Sequence, residues 1–177
     1  MPLNMNLLQR LKQINCFVFD VDGVLTDGTL LVMPGGLMVR KMNIKDGYAL
    51  QLAIKMGYRV LIISGGNSME VKDRLQKLGV TEIWMQVTDK RTLLDDYLTQ
   101  NNIPVESVAY MGDDIPDFEV MQLVGMPCCP IDAATDIKAI ADFIASKKGG
   151  EGCARELIEK VMKLNGHWQE DTTIRSQ

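Results

Sequence analysis

Four apolar residues, Cys16 to Phe19, run directly into Asp20-Val21-Asp22-Gly23. An unbroken apolar run that ends at once in Gly and polar residues reads as a buried strand meeting a loop. Side chains alternate along a strand, so Asp20 and Asp22 leave on the same side. Two carboxylates crowded at the end of a core strand repel each other and lose hydration. That points to a cation, or to a proton held on one of them. The same residues also fit an acidic turn in which Asp22 and Asp27 cap backbone groups.

Downstream the chain alternates. Two apolar runs around Pro34-Gly35-Gly36 predict a β-hairpin over about 29–42. Helices are predicted over Asp46–Met56, Ser68–Leu78, Asp89–Gln100, Pro116–Leu123 and Thr135–Ala141, with strands at Tyr58–Ile63, Glu82–Met85, Ser107–Met111 and Met126–Cys129. Phe143 to Ala145 fits a last edge strand. Glu151–Leu164 fits a final amphipathic helix, and Leu3, Leu7, Leu8, Leu11 and Ile14 fit a short one before the first strand. Strands alternating with helices predict an α/β fold with a parallel sheet covered on both faces. No linker or repeat interrupts the 177 residues, so one domain is expected over 1–177, with a C-terminal helix and a loose polar tail over 151–177.

Bulk properties exclude several classes. The net charge is −4, which argues against a nucleic-acid binder but not against a small anionic substrate. No apolar run approaches the length of a membrane span, and the first 15 residues make a poor signal peptide, so a cytoplasmic protein is expected. Cys16, Cys128, Cys129 and Cys153 form no CxxC pair and His167 is the only His, which disfavours zinc and fits buried reduced thiols. His167 and Trp168, on the polar tail, read as surface residues.

In parallel sheets ligands bind beyond the carboxyl ends of the strands. The predicted strand ends carry Asp20 and Asp22, then Ser64-Gly65-Gly66, then Asp89-Lys90 at a helix start, then Gly112-Asp113-Asp114 with Asp117 three residues on. Each element alone fits ordinary turn or cap chemistry. Together, carboxylate oxygens with few nitrogens or sulfurs select a hard cation, most simply Mg²⁺. A phosphate fits beside it, with Ser64, backbone amides such as that of Gly65, and Lys90 on its oxygens. One carboxylate can then attack phosphorus while a second moves protons.

These residues resemble the four motifs of the haloacid dehalogenase superfamily phosphatases: Asp20-Val-Asp22-Gly-Val-Leu-Thr26, Ser64, Lys90 and Gly112-Asp113-Asp114-Ile-Pro-Asp117. The resemblance implies a Rossmann-like domain with Asp20 as nucleophile and Asp22 as general acid/base. It implies Ser64 and Lys90 on phosphate, with Lys90 also offsetting the charge of Asp20. It implies Mg²⁺ held by Asp20, Asp113 and the backbone carbonyl of Asp22, with Asp114 in its inner or outer shell and Asp117 in support. Thr26-Asp27-Gly28, the hairpin, Lys45-Asp46-Gly47-Tyr48, the stretch Asn67 to Gly79 with Arg74, and Lys148 to Gly152 with Arg155-Glu156 extend the likeness to the capless subgroup that contains the 3-deoxy-D-manno-octulosonate 8-phosphate phosphatases.

For that subgroup the resemblance implies no cap domain, a homotetramer built partly on the hairpin, and a sugar-acid phosphate on the route to lipopolysaccharide as substrate. Lys45, Asn67 and Arg74 become candidate substrate contacts. One position departs from the pattern: the phosphate-binding turn commonly ends in Arg, and here it ends in Gly66. The missing bidentate fork leaves open a nine-carbon nonulosonate 9-phosphate as the substrate. A phospho-acceptor signalling domain uses similar groups, but places its acid pair first and its acceptor on a later strand.

Overall fold

The computed structural model describes residues 6–174. Its sheet has six parallel strands in the order β5-β4-β1-β6-β7-β8: β1 Cys16–Phe19, β4 Arg59–Ile63, β5 Glu82–Trp84, β6 Val108–Met111, β7 Met126–Cys129 and β8 Phe143–Ile144. β1 lies between β4 and β6, so its apolar run is buried on both faces. Phe17 and Phe19 face a core formed with Leu11 of helix α1 (Leu7–Lys12), Leu50 of α2 (Ile44–Lys55), Leu75 of α3 (Met69–Lys77) and Leu157 of α7 (Cys153–Leu164). Cys16 and Val18 face the other core with Leu94 of α4 (Lys90–Gln100), Val120 of α5 (Phe118–Met121) and Ile137 of α6 (Thr135–Ile140). Two helical layers around a parallel sheet follow directly from strands that carry no polar face. All four cysteines are buried and unpaired.

The small antiparallel pair, β2 (Leu31–Val32) and β3 (Met38–Val39), forms the predicted hairpin and stands outside this sheet. Its apolar side chains Leu31, Val32 and Met38 are exposed.

Four details differ from the sequence expectation. Of the N-terminal apolar stripe, Leu11 and Ile14 are buried while Leu7 and Leu8 are exposed, and Leu3 lies outside the described residues. The helix expected from Pro116 is a 3₁₀ turn, Ile115–Asp117, leading into the four-residue α5; Pro116 fits a first turn because its missing N–H has no intrahelical partner there. The acidic loop is a wound turn, Val21–Leu25, pinned by the buried Thr26: its hydroxyl donates to the Val21 carbonyl and accepts from the Gly23 and Gly28 amides. The tail, expected to be loose, is tied down as far as Thr173. The Tyr48 hydroxyl exchanges hydrogen bonds with the Asp171 backbone, and Asp171 also pairs with Lys55. Trp168 packs edge-on to Tyr48 with the Arg155 guanidinium over both rings, and His167 Nδ1 bonds Tyr58. A polar composition hid these aromatic anchors.

Candidate active site

The carboxyl ends of β1, β4 and β6 open into one cavity of about 320 Å³. Asp20, Asp22, Ser64, Gly65, Lys90, Asp113 and Asp114 all line it. Three elements far apart in sequence meet there because β1 is central and its neighbours end level with it: Phe19 pairs with Ile62 on one side and Met111 on the other.

At the floor is a buried ionic knot. Lys90, the first residue of α4, sends Nζ to Asp117 Oδ1 at 2.7 Å and to Asp20 Oδ2 at 3.0 Å. The Lys90 side chain is 4% exposed and that of Asp117 1%. The Tyr110 hydroxyl donates to Asp117 Oδ1 at 2.7 Å, and the Asp113 amide donates to its Oδ2 at 3.1 Å. Asp117 therefore has both oxygens engaged and clamps Lys90, β6 and the Asp113 loop together. Asp20 Oδ1 accepts from the Val21 amide at 2.7 Å. Glycines make room for this packing: a Cβ at Gly112 would land on the Asp117 carboxylate, and one at Gly23, where φ is +82°, on that of Asp113.

The electrostatics follow from burial of like charges. Burial, then the neighbouring Asp117, raises the Asp20 pKa, against the pull of Lys90. Burial, then Asp117, Asp20 and Asp114, pushes Asp113 up to about 7. Burial pulls the Lys90 ammonium down, but Asp117 and Asp20 outweigh it and its pKa ends raised. Such a site has more negative charge than one lysine can neutralise.

Asp20, Asp113 and Asp117 each offer a carboxylate oxygen, all within 4.8 Å of one another. This all-oxygen donor set, together with the unneutralised charge, fits a hard divalent cation such as Mg²⁺. Because the oxygens of Asp117 already serve Lys90, Tyr110 and the Asp113 amide, Asp20 and Asp113 are the better-placed ligands. Asp114 is exposed at the rim. Ser64 is buried, and its hydroxyl oxygen accepts from the Gly66 amide at 3.1 Å, which leaves its O–H to donate.

Asp22 is held differently. Its carboxylate takes a two-pronged bond from Arg40, at the end of the hairpin: Nε to Oδ1 at 2.7 Å and Nη2 to Oδ2 at 3.1 Å. Sequence reasoning missed Arg40, because nothing local marks a hairpin Arg as facing inward. It also missed Tyr110, whose place in a strand signalled only core; the support expected of Asp117 takes the form of its clamp on Lys90.

The three candidate substrate contacts separate. Arg74 lines a second cavity, also of about 320 Å³, between the hairpin and α3, together with Arg40. Lys45 lies instead on the wall of a third cavity with Arg155 and Glu156. Asn67 is exposed beside Gly66.

Comparison with known proteins agrees with this geometry. Residues 77–157 match the family model described as haloacid dehalogenase-like hydrolase. The chain is 31% identical over 169 residues to the 3-deoxy-D-manno-octulosonate 8-phosphate phosphatase KdsC of Escherichia coli, covering 96% of this chain and 90% of the relative. A Moraxella catarrhalis 3-deoxy-D-manno-octulosonate 8-phosphate phosphatase, solved with magnesium, phosphate and the sugar acid KDO, superimposes with a TM-score of 0.85 at 32% identity, covering 89% and 90% of the two chains. The cobalt-bound deoxy-D-mannose-octulosonate 8-phosphate phosphatase of Haemophilus influenzae also gives 0.85, at 29% identity and 89% and 92% coverage.

Proposed function

The chain belongs to the haloacid dehalogenase-like hydrolase family, and from that premise we propose that it is a Mg²⁺-dependent phosphatase acting on 3-deoxy-D-manno-octulosonate 8-phosphate. The observation that carries the reading is Asp20 beside Lys90 at 3.0 Å, in a cavity also lined by Asp22, Ser64 and Asp113.

In this reading Ser64 O–H, the Gly65 amide and Lys90 bind the phosphoryl oxygens. Asp20 is the nucleophile: one carboxylate oxygen bonds to phosphorus as the bond from phosphorus to the sugar oxygen breaks. Asp22, once protonated and no longer held by Arg40 through both oxygens, gives its proton to that leaving oxygen. Asp22, now ionised, then takes a proton from the water that attacks the aspartyl-phosphate. The bond from Asp20 to phosphorus breaks, and inorganic phosphate leaves with Asp22 reprotonated. Mg²⁺, when held by Asp20, Asp113 and the Asp22 backbone carbonyl with Asp114 nearby, supplies positive charge to the transferring group. Lys90 remains fixed by Asp117, so it neutralises charge without reorganising.

The chain acts as one catalytic unit in the cytoplasm, and the exposed Leu31, Val32 and Met38 of the hairpin support self-association, in a tetramer. The test is phosphate release from a panel: the eight-carbon acid phosphate, nine-carbon nonulosonate 9-phosphates, hexose phosphates and p-nitrophenyl phosphate. The expected result is a preference for the eight-carbon acid that disappears on chelation and returns with Mg²⁺. Preference for a nine-carbon acid would keep the chemistry and replace the substrate. No hydrolysis of any ester with Mg²⁺ present would overturn the reading.

A further inference from the structure

Asp22 rides on a turn that is held from two sides. In front, Arg40 donates its fork to the carboxylate, and Gly66 leaves room for the pair: a Cβ at residue 66 would lie 2.8 Å from Asp22 Oδ2 and 3.1 Å from Arg40 Nη2. Behind, the loop that leads into α7 closes on the backbone of the turn. The Gly150 amide donates to the Val24 carbonyl, and a Cβ at Gly150 would lie 2.6 Å from the Asp27 nitrogen.

The loop is itself fastened, and mostly from one place. The Asp132 carboxylate accepts from the Gly149 amide at 3.0 Å. The other fastenings come from the first turn of α2. Helix α7 begins after Gly152, a left-handed residue with φ +101° and no side chain to cap the helix. Asp46 does that work from α2: its Oδ1 accepts from the Arg155 amide at 2.8 Å. This is the third amide of α7, one that a capping side chain ordinarily takes, and a carboxylate there faces the positive end of the helix.

Asn43 has two jobs. Its Oδ1 caps α2 by accepting from the Lys45 amide at 2.9 Å, and its Nδ2 donates to the Gly150 carbonyl at 3.1 Å. Gly150 is thus held at both of its backbone groups, by Val24 at one and Asn43 at the other. Met42, the residue before Asn43, pairs with Thr26 at the end of the catalytic turn. One stretch, 42–46, therefore touches the turn directly and grips the loop behind it.

We infer that Asn43 and Asp46 are positioning residues for the proton transfers of Asp22, acting through the loop 149–155 that backs its turn. Neither lines the cavity of the acids. The phosphoryl ligands Ser64, Gly65 and Lys90 stand on other elements, so the two residues govern the proton carrier and leave phosphate binding alone. This rests on the reading of Asp22 as the proton carrier.

The test compares two leaving groups on the same preparations: the best sugar phosphate of the panel above, which leaves as an alkoxide and needs a proton, and p-nitrophenyl phosphate, whose phenolate leaves without one. The readout is the ratio of their kcat/KM values, which covers the steps up to cleavage of the ester. Asn43→Ser keeps the cap of α2 but is too short to reach Gly150. It is expected to lower that ratio by about tenfold, as a displaced proton donor should, with inhibition by inorganic phosphate unchanged. Asp46→Ala should do the same, while Asp46→Asn, whose amide oxygen still accepts from Arg155, should keep the wild-type ratio. Turnover of p-nitrophenyl phosphate shows that each variant is folded. If Asn43→Ser and Asp46→Ala lower the melting temperature and leave the ratio at its wild-type value, the two residues only stabilise the fold and the inference is overturned alone. Asp22→Asn is the control: equal loss on both esters would remove Asp22 as the proton carrier, and this inference with it.

Discussion

Two carboxylate–cation contacts border the phosphoryl site, and they are built in opposite ways. The inner one, Lys90 with Asp20 and Asp117, sits on strand ends and the first turn of a helix that are fixed by the sheet. The outer one, Arg40 with Asp22, joins a wound turn to a hairpin outside the sheet. Asp117 is 1% exposed in its side chain, whereas Asp22 is 36% exposed. Charges in the inner knot are locked by burial and have every neighbour specified. The outer pair depends on a loop and on one absent side chain at residue 66. Placed this way, the proposed nucleophile Asp20 belongs to the rigid layer and the proposed proton carrier Asp22 to the adjustable one.

Substitutions can break this contrast, beginning with the inner knot. Asp20→Asn keeps the shape and removes the nucleophile, so turnover of every ester should fall by at least about 10³-fold with the unfolding transition little changed. Comparable losses on acid-bearing and plain esters mark the inner site as indifferent to the leaving group. An Asn variant within a few-fold of wild type would end the assignment of Asp20.

Asp117→Ala should strike stability as well as rate. It leaves Lys90 with one carboxylate in place of two and strands the Tyr110 hydroxyl, at about 3 kcal/mol by analogy with other broken buried pairs. Denaturant melts would report it as a lower midpoint with an unchanged slope. No change in midpoint would mean that the knot is not the rigid element described above.

At the outer pair, Gly66→Ala should cost roughly tenfold in kcat/KM, through displacement of Asp22 and Arg40 and not through the backbone, because Gly66 is not in the left-handed region. Its melting temperature should stay near that of wild type. A large loss of stability would show that the outer pair is as rigidly built as the inner knot.

The smallest effect lies outside both sites. Asp46, at the first turn of α2, is buried; its Oδ1 accepts from the Arg155 amide at 2.8 Å while its Oδ2 has no hydrogen-bond partner among the described residues. Burial lifts its pKa to about 6, against the Arg155 amide and charge. An acid with a raised folded pKa is better tolerated protonated. Its contribution is therefore favourable below the unfolded value near 4, is lost as pH climbs to about 6, and stays lost above. Asp46→Asn should match wild type in melting temperature at acid pH and exceed it modestly at pH 8. An equal gap at both pH values would remove the explanation.

What could be read from the sequence divides along the same line as the two contacts. Asp20, Asp22, Ser64, Lys90 and Asp113 were legible because each sits where a local pattern, a strand end or a helix start, fixes its position. The sheet was legible because apolar runs alternated with helical periods. Arg40 was not, because its direction is decided by the hairpin's docking and by the space at Gly66, neither of which leaves a mark near residue 40. The tail was misread for a related reason. His167 and Trp168 find Tyr58, Tyr48 and Arg155 only after α2 and α7 have packed, and composition records none of that.

The support behind the wound turn that carries Asp22 comes from far along the chain. The Gly150 amide donates to the Val24 carbonyl at 2.9 Å, the Cys153 thiol reaches the same oxygen at 3.2 Å, and a Cβ at Gly149 would land on the Gly23 carbonyl. During synthesis this has a consequence in time. The first motif to leave the ribosome is the last to be finished, because its turn lacks this backing until the chain has been made past residue 150. A nascent chain that has passed residue 117 but not residue 150 carries every acid of the site, yet the turn that bears Asp22 still lacks its final brace.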